Sequence, residues 1–337
     1  MIVVLPDAGV DGNGGSWFTN WMDQRTHLGA SNWETFHLDQ LVPWVDDNLR
    51  TVATRAGRAI AGLSQGGFGA FSYAARHPDM FAAAGSFSGA PDIASNAVAL
   101  AGAATIIGAT AIGLDGVEPD AMFGDPLLNN INWQGHNPAS LVTNLADTTL
   151  ELWSGNGVPG ALDTPSVAII SDALIEAFAH ESSVFFVQAA RAAHVAYTFD
   201  DYGSGTHSWP YWTRDLAQFL PMVMNVFNHP QPTPQAVSYR SIDKTWTQWG
   251  WTVANTRAST QAFSGLVDAS AAGFTVASPS RTTVTTPPAY LPGARYRVTA
   301  MHGTAPVTVV ASPTGRLTVA VLPAAGRSSV TVTLARG

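Results

Sequence analysis

Apolar positions in the first two-thirds of the chain alternate between two periods. Short apolar runs at residues 1–6 (MIVVLP), 58–63 (RAIAGL), 81–89 (FAAAGSFSG), 149–155 (TLELWSG) and 194–201 (HVAYTFDD) predict strands. Between them, residues 32–49 (NWETFHLDQLVPWVDDNL) place Trp33, Phe36, Leu41 and Val45 at helical spacing. Residues 65–78 (QGGFGAFSYAARHP) read as a helix that Pro78 stops, and residues 209–227 read as the last helix of this region. Strands alternating with helices predict an α/β domain, with a doubly wound, mostly parallel sheet covered on both faces.

The pattern then changes. Residues 229–235 hold three prolines and predict a linker. Beyond them, Thr- and Val-rich runs at 250–255, 273–278, 281–286, 295–302, 306–312, 316–323 and 329–335 are separated by Gly, Pro and Ser turns. That spacing predicts an all-β sandwich of roughly 100 residues. The expected organisation is a catalytic domain over 1–228 with a cap at about 91–147, a linker over 229–235 and a β-sandwich over 236–337.

Composition narrows the function classes. The formal charge of −8, with no basic run to offset it, opposes nucleic-acid binding. The absence of cysteine removes disulfides, thiol catalysis and Cys-ligated zinc, and no metal or cofactor is expected. Residues 1–6 lack the basic region and apolar length of a leader. The uncharged stretch 93–114 is long enough to raise the question of a membrane span, but Ala, Gly, Ser and Thr dominate it. A buried or cap helix is expected there, with residues 97–114 a candidate lining for an acyl chain.

The candidate chemistry lies in Gly62-Leu63-Ser64-Gln65-Gly66, a G-x-S-x-G run with a strand entering and a helix leaving. A sharp turn there lifts the Ser64 hydroxyl above the sheet edge, with Gly62 and Gly66 removing the collision that side chains would cause. The Gln65 N–H then falls where an oxyanion donor is needed. A serine nucleophile needs a base. Of nine histidines, His207 alone stands in a loop just after a strand and just before a helix. A carboxylate should lie between the two in sequence, and Asp163, Asp172 and Glu176 are candidates that spacing does not separate.

The segments GLSQGG, SNWETF, FAAAGSFSGAPD, LWSGNGVP and above all GTHSWPYW resemble the esterase D-type branch of the α/β-hydrolases, and within it the antigen 85 mycolyltransferases. The resemblance runs from about residue 3 to about residue 227 and does not reach the β domain. It implies an α/β-hydrolase fold and a Ser-Glu-His triad acting through an acyl-enzyme. By position, Ser64 matches the nucleophile, His207 the base and Glu176 the orienting acid, while Ser208 and Trp209 match residues of the active-site mouth. It also implies an acyl ester substrate, a sugar acceptor in the transferase case, and secretion or association with the cell envelope.

Two departures bear on activity. Ser154 stands where the mycolyltransferases have cysteine. Family members also carry one or two strands and a loop ahead of the segment matching IVVLP, and that loop supplies the second oxyanion N–H. The expectation is that these N-terminal strands are absent here, or that Asp7-Ala8-Gly9 substitutes for the loop; one missing donor costs roughly 10²–10³ in rate. In the β domain, Trp246, Trp249 and Trp251, with Trp249 and Trp251 on one face of a strand and Trp246 on the other, read first as core packing or docking against the catalytic domain, with contact to a cell-wall glycan the alternative. The contrasting reading is a non-catalytic glycan-binding protein on a retained hydrolase scaffold.

Overall fold

In the computed structural model of the chain, residues 1–7, 15–165, 169–257, 261–300, 306–323 and 326–334 are described. They form two compact units, Met1–Gln231 and Pro232–Gly337.

The first unit is built on four parallel strands, β1 (Ala59–Leu63), β2 (Ala83–Phe87), β3 (Thr149–Ser154) and β4 (Thr198–Asp201), paired in the order β1-β2-β3-β4. Every residue of β2 is buried, which is why this stretch reads as apolar without alternation. Helices cover both faces. On one, α7 (Trp209–Asn228) lays Phe219 against Phe87 and Trp153, with ring centroids 5.7 and 6.1 Å apart. On the other lie α3 (Gln65–Arg76) and α6 (Ile169–Ala192), joined by the edge-to-face pair Phe71 and Phe186 at 5.2 Å. This is the doubly wound arrangement that the alternating periods predict.

Several boundaries differ from those expectations. Residues 1–6 form no strand. The helix over 32–49 is three pieces: α1 (Trp33–Thr35), a π-helical stretch Phe36–Leu41, and α2 (Val42–Asn48). His194 does not begin a strand; it turns the chain after α6 with φ 56°. Between β2 and β3 the chain forms α4 (Ala97–Thr110), a π turn Ala111–Asp115 and α5 (Asn130–His136). Residues Ala97–Asp115 are long and apolar enough to cross a membrane, with mean hydropathy 2.0, and a third of the segment is buried. Ala99, Ala103, Ile107 and Ala111 form the buried stripe, whereas Val98, Ile112 and Leu114 are exposed, so the helix packs by one face only. A cleft of about 530 Å³ opens between α4 and α6, lined chiefly by Val98, Gly102, Phe178 and Phe185.

A buried ion cluster ties α1 to the ends of α3 and α5. Glu34 accepts from Arg76 Nε and His77 Nε2, both at 2.8 Å, with His136 Nε2 4.0 Å away. Burial raises the Glu34 carboxyl's proton affinity, but the charge of Arg76 and the two imidazoles outweigh it and hold the group well below the usual carboxylate range.

The second unit packs a four-stranded sheet, β13-β10-β7-β6, on a six-stranded one, β12-β11-β14-β9-β8-β5, with all neighbouring strands antiparallel. In chain order these are β5 (Val237–Ser241), β6 (Thr245–Gln248), β7 (Trp251–Asn255), β8 (Ser264–Ser270), β9 (Gly273–Ala277), β10 (Thr282–Thr285), β11 (Arg295–Ala300), β12 (Val307–Val310), β13 (Thr318–Val321) and β14 (Arg327–Leu334). Strands β5, β6 and β8 were not among the Thr- and Val-rich runs, because Ser, Gln and Asp interrupt their apolar alternation. One shared core takes side chains from both sheets, among them Tyr239, Leu266 and Val276 from one and Trp246, Val253 and Val319 from the other.

The tryptophan row is not present. Trp249 and Gly250 form a two-residue turn with φ 52° and 79°, the left-handed pair that joins antiparallel strands tightly. The turn places Trp246 on β6 and Trp251 on β7, both facing the core at 6% and 2% exposure. Trp249 also packs against that core. No flat aromatic platform for a glycan is therefore available from these three side chains.

Substituting Glu34→Ala removes the carboxylate that neutralises the buried Arg76 and should cost about 3–5 kcal/mol in denaturant unfolding. Because the folded carboxyl titrates below its unfolded value of 4.5, its contribution is complete above that pH and is lost as pH falls further. Acid unfolding of Glu34→Gln should accordingly show a shallower loss of stability below pH 4.5 than the parent.

Candidate active site

Ser64 sits between the last residue of β1 and the first of α3, with φ 53° and ψ −127°, a conformation that a residue bearing a Cβ rarely adopts. Backbone bonds hold it there: its N–H donates to the Phe87 carbonyl at 3.0 Å, and its carbonyl accepts from Gly67 N at 2.9 Å. A Cβ on Gly62 would lie 2.2 Å from the Gly66 carbonyl oxygen, so the turn admits only glycine at that position. The other flanking position differs from the expectation. A Cβ on Gly66 would meet only the Phe18 ring, at 3.9 Å. The second close approach belongs to Gly67, whose added Cβ would lie 2.7 Å from Ser86 Oγ and 2.8 Å from Gly89 Cα.

Gln65 opens α3, where the first backbone N–H groups have no intrahelical acceptor and point out of the helix end. Its side chain is tied back by Nε2 donating to Asp7 Oδ2 at 2.8 Å, and the Asp7 carbonyl accepts from Ser16 N at 2.9 Å. Ala8 and Gly9, the other residues expected to stand in for the family's loop, lie outside the described residues.

Glu176, in the second turn of α6, is fully buried. An isolated carboxylate there would be costly, and the chain surrounds it with donors. Oε1 accepts from Ser88 Oγ at 2.8 Å, Ser154 Oγ at 3.1 Å, Gly155 N at 2.7 Å and Tyr202 OH at 3.4 Å. Ser88 follows β2, Ser154 ends β3 and Tyr202 follows β4, so the cradle is the carboxyl edge of the sheet. Oε2 faces His207 Nδ1 at 2.8 Å.

His207 stands in the loop between β4 and α7, with its ring against the edge of Trp212 at 4.9 Å. With Nδ1–H donated to Glu176, Nε2 is the nitrogen left to accept a proton. Nε2 is buried without a hydrogen-bond partner, so the structure brings Glu176 and His207 together but makes no bond between His207 and Ser64. Such bonds commonly tighten only when substrate is bound. Trp209, two residues on, is 69% exposed beside them, and Ser208 stands at the position just before α7 without a side-chain capping bond.

The two other acid candidates do not touch the imidazole. The Asp172 carbonyl accepts the His207 backbone N–H at 3.1 Å. The Asp163 carboxylate accepts from Gly160 N at 2.7 Å and Tyr211 OH at 3.0 Å, as well as from Thr206 and Ser208.

Behind Glu176, the Arg214 guanidinium lies 3.9 Å above the Tyr202 ring and bonds Asp215 at 2.7 and 3.0 Å. Burial, followed by the charges of Glu176 and Asp215, pushes the Tyr202 phenol up, so it remains a donor to Glu176 at neutral pH. Burial also raises the Asp215 carboxyl to about 6 despite Arg214 beside it. Ser88, Tyr202 and this second layer were not found from sequence. The available signal was positional: each cradle residue is a polar side chain where an apolar strand run stops.

A parallel sheet wound on both faces, a strained serine at a strand-to-helix elbow and a buried acid–histidine pair at the same sheet edge define an α/β-hydrolase. The chain belongs to the Esterase family, whose profile matches residues 1–223. The C-terminal β unit lies beyond that match.

The chain is 48% identical to an esterase of Mycobacterium tuberculosis over 89 residues, which is 26% of this chain and 18% of that protein. It is 31% identical over 232 residues to the diacylglycerol acyltransferase/mycolyltransferase Ag85B of Mycobacterium leprae, covering 67% of this chain and 66% of that protein. The match thus spans under a fifth of the first relative and just short of two thirds of the second. Among solved structures, Mycobacterium tuberculosis MPT51 aligns with TM-score 0.50 and 31% identity over 64% of this chain and 73% of that one. The antigen 85-type resemblance and the α/β-hydrolase fold read from the sequence are both borne out.

The elbow geometry separates the three glycines. Gly62→Ala and Gly67→Ala should each lose at least about 1–3 kcal/mol to overpacking, whereas Gly66→Ala, on a helix with room for a methyl, should be neutral or gain up to about 1 kcal/mol. Equal melting temperatures for Gly62→Ala and Gly66→Ala would contradict this assignment.

Proposed function

We propose that the first unit is a serine ester hydrolase or acyltransferase in which Ser64 attacks the ester carbonyl, His207 Nε2 takes the proton and Glu176 holds the imidazole. The Gln65 N–H, at the positive end of α3, stabilises the oxyanion. The tetrahedral oxyanion collapses to an acyl-Ser64 as the ester C–O bond breaks, with the leaving alcohol taking the proton from His207. Water or an acceptor hydroxyl, deprotonated by His207, then releases the acyl group.

One observation carries this reading. A fully buried carboxylate whose second oxygen is 2.8 Å from an imidazole Nδ1 is an arrangement that fixes a tautomer and stabilises an imidazolium. A structural ion pair in the interior gains nothing from leaving the other ring nitrogen without a partner.

The substrate class we infer is an acyl ester, with a sugar hydroxyl as the acceptor in a transfer reaction. Similarity to Ag85B, a diacylglycerol acyltransferase/mycolyltransferase, supports the transfer reading, and the exposed Trp209 beside Ser208 offers an aromatic face to a sugar ring. Secretion or association with the cell envelope is the setting that the antigen 85 resemblance supports.

Ser64→Ala and His207→Ala should each lower kcat on a p-nitrophenyl ester by about 10⁴ or more, with folding unchanged by melting temperature. Undiminished turnover in Ser64→Ala would remove Ser64 as the nucleophile and overturn this reading. Adding trehalose to an acyl donor and looking for acylated sugar separates transfer from hydrolysis; free acid alone identifies a hydrolase.

A further inference from the structure

We infer that Asp163 is a positioning residue that clasps the loop carrying His207 from both sides. The inference rests on the catalytic reading of Ser64, Glu176 and His207. The residues immediately before and after His207 both donate side-chain hydroxyls to one carboxylate oxygen: Thr206 Oγ1 and, at 3.4 Å, Ser208 Oγ reach Asp163 Oδ1. The other oxygen takes Gly160 N at 2.7 Å and Tyr211 OH at 3.0 Å, so the same carboxylate also fixes the loop after β3 and the first turn of α7.

Backbone bonds extend the clasp. Asn156 N donates to Gly203 O at 2.7 Å, Gly157 N to Gly205 O at 3.0 Å, and Gly205 N to Val158 O at 2.7 Å. The loop after β3 and the loop after β4 are therefore zipped together up to Gly205, and Asp163 continues the zip through Thr206 and Ser208. His207 itself is held through its own N–H on the Asp172 carbonyl at 3.1 Å.

The reason for such a clasp lies in the position of His207. It belongs to no helix or strand, so nothing periodic holds its Cα, yet Nδ1 must stay within hydrogen-bond range of Glu176 while Nε2 shuttles a proton. Thr206 is 1% exposed, so its hydroxyl has no water to turn to and its bond to Asp163 defines the loop's path. Although burial raises the Asp163 carboxyl's proton affinity, its hydrogen bonds prevail and hold it below the ordinary value, so the clasp is ionised throughout the neutral range.

The test uses the full chain and compares Asp163→Ala, Asp163→Asn and Thr206→Val with the parent on a p-nitrophenyl ester. Loss of the clasp lets the imidazole drift by a fraction of an ångström to an ångström, so Asp163→Ala should lose about 10²-fold in kcat with KM changed less than about threefold. Asp163→Asn keeps an acceptor oxygen for the two hydroxyls and should recover most of the lost kcat. Thr206→Val removes one donor at nearly constant volume, and it carries the test if Asp163→Ala does not fold. Folded variants with the parent's kcat would overturn the clasp while leaving the catalytic reading intact. An active Ser64→Ala would overturn the catalytic reading itself.

Discussion

A carboxylate with no exposed surface is tolerable only if its oxygens are supplied with donors, and the first unit is arranged around meeting that requirement for Glu176. Its five partners come from the ends of three neighbouring strands and from the loop before α7. Parallel pairing of β2, β3 and β4 brings those ends to one edge, and α6 delivers the carboxylate over it. Had the strands run antiparallel, their ends would alternate between opposite edges and no such cradle would form. Ser154, where mycolyltransferases have cysteine, is one of the five and supplies an ordinary hydroxyl donor there.

The same edge explains the strained serine. Ser64 leaves β1 one strand over, with its N–H on the carbonyl that ends β2, so the elbow and the cradle share the Phe87–Ser88 peptide region. Backbone strain at Ser64 persists because close-packed neighbours leave no alternative path: Gly62 against Gly66, and Gly67 against Ser86 and Gly89. A displacement at the end of β2 would be felt by both the nucleophile and the acid.

The three candidate acids, Asp163, Asp172 and Glu176, divide the work by atom type. Glu176 meets the imidazole with a carboxylate oxygen, Asp172 meets the His207 backbone with a carbonyl, and Asp163 meets the flanking hydroxyls with its carboxylate. Spacing could not separate them because all three are brought to the same loop, and which atom each presents depends on helix phase and loop path.

The sequence by itself determined the alternation of strands and helices, the strand–Ser64–helix elbow and the loop position of His207, because these follow from periodicity and turn chemistry over a few residues. The family resemblance added Glu176. Only the tertiary structure decided that Gly67 rather than Gly66 makes the second close approach, since that depends on the neighbouring strand. It alone put Trp246 and Trp251 on the same inward face, because a left-handed Trp249-Gly250 turn reverses the chain where an uninterrupted strand was expected. And it alone assembled Ser88, Ser154 and Tyr202 around one carboxylate, since residues far apart in the chain become neighbours only when parallel strands align their ends.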